Sequence, residues 1–456
     1  MPVVENRQVV IVGCGLAGTT AAEAARKQDR DASIILIESS PYHEYSRCGL
    51  PYFISGEVGQ SANLFLNKRA YFDSILKVNL LLGTSVEKVE PTRKTVTIRA
   101  PSGLDSLHYD SLVLATGATA VDLPIPGFSK PGVMKLRTLD DAEAIKKAAS
   151  RKGSAVIIGA GLIGLEVADA LTANGVTVSV VELLPEVLPV SFDPSMASLV
   201  RKVLEAKGVT FYLGKKVERI VGFEQVEGVI VEGSLIKADI VVASAGIRPR
   251  NELAKDASIN VGRYGGITVG PRAETSAPDV YAAGDCVEIS NRLISENRPI
   301  QLATVALRTG EVAGANAVGG DERLPDLFGN TSSSICHLEV SSTGLTEGEA
   351  KKFGIAVLTA ESSSYAYAPY YPGGGNLTTK IVADAKSGLI LGSQFVGPGA
   401  AGWGNLVTMM IAQGLHISTL AYLETSFSPP VQNFWPSPVV AARRINRLLK
   451  LKGPSV

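Results

Sequence analysis

The sequence predicts an α/β protein with two Rossmann-like dinucleotide-binding domains, the second inserted in the first, followed by a C-terminal α+β domain. Three observations lead there. The pattern strand, glycine turn, helix, strand, acid runs from Gln8 to Glu38 and again from Ser154 to Glu182. A further strand-to-glycine turn, Val280-Tyr281-Ala282-Ala283-Gly284-Asp285, follows the second unit, and it can serve the first only if the chain returns there. From about Leu324 the glycine fingerprints stop and β-rich stretches take over. The implied boundaries are 1–120 and 246–323 for the first nucleotide domain, 121–245 for the second and 324–456 for the last.

Each element has its own reason. Gln8 to Val12 is a short β-rich apolar run, and Gly13-Cys14-Gly15-Leu16-Ala17-Gly18 follows it. The glycines let the backbone approach a pyrophosphate at the start of the next helix, expected from Thr19 to Lys27. Strand Ser33 to Ile37 ends at Glu38, which can accept from ribose hydroxyls. The second unit repeats this with Ser154 to Ile158, then Gly159-Ala160-Gly161-Leu162-Ile163-Gly164, a helix from Leu165 to Ala173 and Gly175 as its stop. Its strand Val176 to Val181 ends at Glu182. One glycine motif alone is weak; two with every flank in place imply two dinucleotides. Ser111 to Leu114 leads into Ala115-Thr116-Gly117, Pro124, Pro126 and Gly127 mark a crossing, and Asp239 to Ala245 leads into Gly246. Asp285, after its glycine turn, suits a sugar-like polyol, and a helix is expected from Thr304 to Val318. In the last domain strands are expected at 355–358, 377–383 and 389–396, and helices at 403–412 and 439–449.

Composition narrows the function. Lys+Arg 44 balance Asp+Glu 44, so no global field recruits nucleic acid or an anionic membrane. No run of 18 apolar residues appears and no signal segment precedes the first strand, so no membrane span is expected. The four cysteines, Cys14, Cys48, Cys286 and Cys336, show neither zinc-ligand spacing nor a disulfide framework, which fits a reducing, cytoplasmic setting. Cys14 and Cys286 read as small packed residues. Cys336-His337 supplies too few ligands, so no metal is expected.

That leaves Cys48, in Ser46-Arg47-Cys48-Gly49-Leu50-Pro51-Tyr52-Phe53. Pro51 suits the first turn of a short helix. A thiol there, beside Arg47, is expected to have a lowered pKa and to be largely thiolate. With no cysteine two to five residues away, its oxidised form would be a mixed disulfide, a persulfide or a sulfenic acid. His43-Glu44 reads either as part of this pocket or as surface. Arg47 and Lys68-Arg69 read either as attractors for a phosphorylated thiol or as solvated charge.

These residues together resemble the FAD-dependent pyridine nucleotide-disulfide oxidoreductases over nearly the whole chain. The resemblance implies FAD at the first site, among Gly13, Gly15, Leu16, Ala17, Gly18, Glu38, Ser39, Arg47, Val86, Ala115, Thr116, Gly117, Asp285 and Ala303, with Asp285 on the ribitol. It implies NAD(P)H at the second, among Gly159, Gly161, Leu162, Ile163, Gly164, Glu166, Glu182 and Gly246. Glu182 would repel a 2′-phosphate, and no Arg or Lys follows it through Val190, so NADH is expected over NADPH. The third domain would form a homodimer interface. The lone thiol of Cys48-Gly49-Leu50-Pro51-Tyr52 is similar to the single-cysteine branch: coenzyme A disulfide reductases, coenzyme A-dependent sulfur or persulfide reductases, NADH oxidases and NADH peroxidases. Tyr370-Tyr371-Pro372-Gly373 resembles the tyrosine motif that the coenzyme A disulfide and sulfur reductases supply across the dimer interface, so Tyr370 and Tyr371 join Cys48 as expected catalytic residues.

The chain departs from these branches in places. Leu16 stands where the oxidases and peroxidases carry a His. Glu44 and Arg47 stand where the coenzyme A disulfide reductases usually have Ser and Asn. Phe427 replaces their second tyrosine, Leu162 an aromatic gate over the nicotinamide pocket, and no rhodanese-like extension is expected. The resulting expectation is an enzyme passing electrons from NAD(P)H through FAD and Cys48 to a low-molecular-weight disulfide, persulfide or polysulfide, with coenzyme A among the carriers. Two alternatives share these residues: an NADH oxidase reducing oxygen, and an NADH-dependent reductase of a small electron-transfer protein.

Overall fold

The computed structural model describes residues 7–451. Its first sheet is parallel, with strands in the order Val280–Ala282, Ser111–Leu114, Gln8–Val12, Ser33–Glu38, Asn79–Leu82. The inner runs Ser111–Leu114, Gln8–Val12 and Ser33–Glu38, rich in Val, Ile and Leu, are buried on both faces, as central parallel strands must be. The second sheet, also parallel, runs Thr210–Leu213, Thr177–Glu182, Ser154–Ile158, Ile240–Ala243, Val133–Lys135. All its strands fall in sequence between members of the first, so the second unit is inserted in the first.

Small residues fasten the return. Helix Ala303–Ala317 lies against helix Leu16–Gln28, and a Cβ added to Gly310 would stand 2.5 Å from the Ala17 carbonyl oxygen. At Gly314 it would stand 2.0 Å from that of Ala21. The backbones touch, and Asp285 is thereby delivered to the first unit.

The C-terminal domain is a five-stranded antiparallel sheet in the order Thr331–Ile335, Leu338–Gly344, Ile390–Val396, Asn376–Asp384, Val357–Tyr365. Helices Ala400–Ala412 and Ser437–Leu451 pack on it through Val407, Met410, Ile411, Ala441, Ala442 and Ile445. A buried polar staple joins it to the second unit. Asp193, 5 % exposed, accepts from Gln394 Nε2 at 2.7 Å and from the Glu347 and Gly348 amides at 3.1 and 3.0 Å. Lys380, also 5 % exposed, lies 3.2 Å from Asp193 and 2.8 Å from Glu347.

Two expectations are corrected. The helices begin at Leu16 and Leu162 rather than at Thr19 and Leu165, because the third glycine of each fingerprint already sits inside the first helical turn. The hairpin of Thr331–Ile335 and Leu338–Gly344 had no counterpart in the sequence pattern, its strands being rich in serine and threonine rather than in large apolar residues.

Candidate active site

The two glycine turns are built alike. Gly13 and Gly159 take φ values of +108° and +104°, a region that strains any side chain. A Cβ on Gly13 would meet the Ala115 carbonyl oxygen at 2.2 Å; on Gly159 it would meet that of Ser244 at 2.6 Å. Gly18 and Gly164 bring each helix onto its strand, their added Cβ atoms falling 1.8 and 2.1 Å from the Gly13 and Gly159 carbonyl oxygens. Gly15 and Gly161 cap the helices with no side-chain acceptor, leaving first-turn N–H groups for an anion.

The acids repeat the likeness. Glu38 accepts from the Cys14 amide at 2.9 Å, the Ser40 amide at 2.9 Å and the Ser39 hydroxyl at 3.3 Å. Glu182 accepts from the Ala160 amide at 2.7 Å and the Leu184 amide at 2.8 Å. Each carboxylate is fixed against its own glycine turn and keeps lone pairs for further donors.

Around the first turn the chain converges. A Cβ on Gly284 would stand 2.8 Å from Ala17 Cβ. Thr116 Oγ1 donates to the Arg250 carbonyl at 2.8 Å, and the Arg250 amide donates to the Gly117 carbonyl at 2.9 Å, locking the Ala115-Thr116-Gly117 turn. Ala303 opens the helix that packs on Leu16–Gln28. Val86 is on the antiparallel strand Ser85–Glu90, paired with Ile98 and packed on the core that holds Val12 and Ile37, and two residues before it the Thr84 amide donates to the Glu38 carbonyl at 3.0 Å. Around the second turn, Leu162 and Ile163 open the helix, and the Gly246 carbonyl accepts from the Val121 amide at 3.1 Å.

Cys48 sits in a single 3₁₀ turn, Arg47–Gly49, ahead of the six-residue helix Leu50–Ser55 with Pro51 in its first turn. Ser46 Oγ caps it, accepting from the Gly49 amide at 3.2 Å. Gly49 has no room for a side chain: a Cβ there would lie 2.5 Å from Leu64 Cδ2. Cys48 is exposed, whereas Cys14 and Cys286 are buried. Cys336 is partly buried, and its thiol donates to Asp169 Oδ1 at 3.2 Å.

The expected low pKa of Cys48 is overturned. Surrounding protein pushes the thiol up, Glu166 and Asp285 push it further, and Arg137 and Arg47 oppose them without prevailing. Arg47 is turned elsewhere, its Nη1 3.0 Å from where a Gly15 Cβ would be and its guanidinium 5.0 Å from the Tyr45 ring centre. Arg137 Nη2 donates to Asp285 Oδ2 at 2.8 Å. A six-residue helix also offers little dipole.

Several further assignments are refined. Glu166 accepts from Ser333 Oγ of the C-terminal domain at 2.6 Å, so it also makes a contact between domains, and burial raises its pKa. Glu44 is buried, not surface. Arg69 is engaged with Asp73 at 3.2 Å and with the Leu80 carbonyl at 3.2 Å, and is not a free phosphate attractor. Arg137 was missed altogether. It belongs to no motif, and its only signal is its place beside the Thr138–Asp141 capping box.

Tyr370 and Tyr371 lie on the loop between strands Val357–Tyr365 and Asn376–Asp384, 75 % and 42 % exposed. The charges that act on Cys48 come from other segments of the chain. The same domain exposes Tyr365, Val431, Trp435 and the stacked pair Phe427 and Phe434, whose ring centres are 3.7 Å apart. No helix among the described residues is long and apolar enough to cross a membrane, and no group of three or more His, Cys, Asp or Glu among them could hold a metal ion.

Comparison with known proteins agrees with this geometry. The family described as pyridine nucleotide-disulphide oxidoreductase matches residues 7–310, and its dimerisation domain matches residues 331–437. A Methanocaldococcus jannaschii protein named NADH oxidase is 35 % identical over 93 % of this chain and 95 % of its own. A Pyrococcus furiosus NAD(P)H sulfur oxidoreductase (CoA-dependent) is 31 % identical over 96 % of this chain and 99 % of its own. The structure of an NAD-dependent persulfide reductase from A. fulgidus superposes with a TM-score of 0.93 at 34 % identity, covering 98 % of this chain and 84 % of that one. The chain, with its two glycine turns, its returning Asp285 strand and its exposed Cys48, belongs to the pyridine nucleotide-disulphide oxidoreductases and is an NAD(P)H-dependent oxidoreductase.

Proposed function

We propose that the chain takes electrons from NADH through FAD to Cys48, and from there reduces a low-molecular-weight disulfide, persulfide or polysulfide, with coenzyme A among the carriers. One observation carries the reading: Cys48 is the exposed thiol among four, and it feels Asp285 of the first unit and Glu166 of the second together. The first turn fits a dinucleotide diphosphate. It leaves no room for a Cβ at Gly13 or Gly18, fixes Glu38, and holds the Arg47 guanidinium over Gly15. The second has the same form with Glu182, and supports NADH over NADPH. Strand membership of the two parallel sheets supports the boundaries proposed from the sequence, and four free cysteines support a reducing, cytoplasmic setting.

When bound, the flavin would accept a hydride from the nicotinamide and deliver an electron pair to sulfur. The chain's own part is thiol chemistry. Cys48 first gives up its proton, which Arg137 and Arg47 favour and Glu166 and Asp285 resist. The thiolate attacks one sulfur of the substrate, forming a Cys48–substrate disulfide and expelling the other sulfur as thiolate. Two electrons and one proton then split that mixed disulfide into free thiol and Cys48 thiolate. Tyr370 and Tyr371, exposed on the C-terminal domain, would reach this site from a second copy in a homodimer.

The test is Cys48→Ser. It should stay yellow and keep its flavin reducible by NADH, yet lose disulfide and persulfide reduction; a retained rate refutes the reading. Mixing inactive Cys48→Ser chains with inactive Tyr370→Phe/Tyr371→Phe chains should restore activity in heterodimers if the site is shared. The relative named NADH oxidase supports a second reading, oxygen as acceptor. Oxygen uptake at the full rate without any sulfur compound would favour it.

A further inference from the structure

Glu44, four residues before Cys48, is 3 % exposed. It lies against the first glycine turn: its backbone N–H faces the Cys14 sulfur, and its carboxyl is within reach of the Thr19 hydroxyl. The neutral Asn67 amide donates to its Oε2 at 3.2 Å. The fully buried Glu288, in contrast, has two backbone N–H donors, from Tyr264 at 2.7 Å and Gly266 at 2.9 Å. The ionisable groups around Glu44 are Glu23 on helix Leu16–Gln28, Arg47 and His43 on its own segment, with the His43 ring nitrogen 3.3 Å from the Glu44 carbonyl oxygen, Cys14 on the turn, and Tyr71, with Glu38 on the far side of Cys14. Burial holds the Glu44 carboxyl up at about 7, with Glu23 adding to it and Asn67, Arg47 and Thr19 opposing.

We propose that Glu44 is a proton-binding group coupled to cofactor binding on the first glycine turn, its neutral acid accompanying the bound diphosphate and its carboxylate opposing it. This rests on the reading of that turn as the FAD site. A diphosphate brings negative charge to the turn that already holds Glu38 and Glu44. Arg47 leans over Gly15 and also acts on Glu44, so an ionised Glu44 competes with the diphosphate for that guanidinium. Binding above neutral pH therefore takes up as much as one proton per FAD and changes no covalent bond. The sign follows from linkage. Below about pH 7 Glu44 is already neutral and affinity is flat. Above it, affinity falls by as much as tenfold per pH unit, about 1.4 kcal/mol, until the carboxyl of the bound form also ionises.

The experiment dilutes the holoenzyme at pH 6 to 9 and follows released FAD by its fluorescence. Wild type should hold FAD evenly below pH 7 and lose it progressively above, whereas Glu44→Gln should show a flat profile. Asn67→Leu, which removes the donor favouring the ionised form, should move the break to higher pH. An unchanged profile in Glu44→Gln or an unmoved break in Asn67→Leu would overturn the proposal, as would a flat wild-type profile. A protein that is folded but carries no flavin at any pH would instead overturn the FAD site itself.

Discussion

In the first nucleotide unit the Arg47 guanidinium stands 3.0 Å from where a Gly15 Cβ would lie; in the second, nothing lies within 4 Å of the same point on Gly161. The glycines and the acid clasp are otherwise shared. The sequence fingerprint thus specifies how a chain receives a diphosphate, while a residue outside it decides whether a fixed charge waits there. A lidded turn suits a cofactor that stays, and an open one suits a cofactor that exchanges each turnover.

Substitutions at the third glycine should show the largest contrast. Gly18→Ala and Gly164→Ala each drive a methyl into a backbone carbonyl, a clash at the upper end of the roughly 1–3 kcal/mol that overpacking costs. Gly18→Ala should be colourless or unfolded, and Gly164→Ala should stay yellow while losing flavin reduction by NADH. Absorbance and thermal melting decide it; flavin loss in both would show that the two units do not act separately. Glu182→Gln comes next. Losing a carboxylate that accepts two backbone N–H groups costs about 1–3 kcal/mol, so KM for NADH should rise roughly ten- to hundredfold and the preference over NADPH narrow. Stopped-flow reduction with both nucleotides measures this, and an unaltered ratio would deny Glu182 its role.

A subtler contrast crosses the units, because Glu166 of the second raises the thiol of the first. Glu166→Gln should lower the Cys48 pKa and speed iodoacetamide labelling at pH 7 by a few fold, with the gap closing as pH rises through the wild-type value. Equal rates at every pH would mean that burial alone sets the thiol. The smallest effect is expected at the middle glycines. Gly161→Ala should change thermal stability by less than about 0.5 kcal/mol, since no protein atom lies within 4 Å of the added methyl, while Gly15→Ala, which must displace Arg47, should weaken flavin retention several fold.

Local pattern carried much of this into view. Gly13, Glu38, Gly159 and Glu182 were legible because each unit is contiguous, and Cys48 because no second thiol stands near it. The ionisation of Cys48 was misjudged for the complementary reason. Arg47 is its neighbour in sequence, but the surrounding protein that raises the thiol most, and the charges of Glu166 and Asp285 that add to it, arrive through helix Leu162–Ala173 and the returning strand. Arg137, Ser333 and Asn67 were invisible for the same cause, since each matters only through a partner far along the chain. The hairpin Thr331–Ile335 escaped because its serines carry no apolar alternation, although it is what holds Glu166.

The staple of Asp193, Lys380 and Gln394 has a consequence for anyone recombining such enzymes. A nucleotide unit inserted in one domain and keyed to another is not a cassette. Transplanting residues 121–245 from a relative with another residue at the position of Asp193 would leave the Gln394 amide without its acceptor and Lys380 with only Glu347 and Glu361 of its three carboxylates. Chimaeras should therefore succeed only when crossovers carry strands Leu338–Gly344, Asn376–Asp384 and Ile390–Val396 along with the donor unit. Point changes around Glu182, which leave that seam untouched, are the safer way to alter the electron donor.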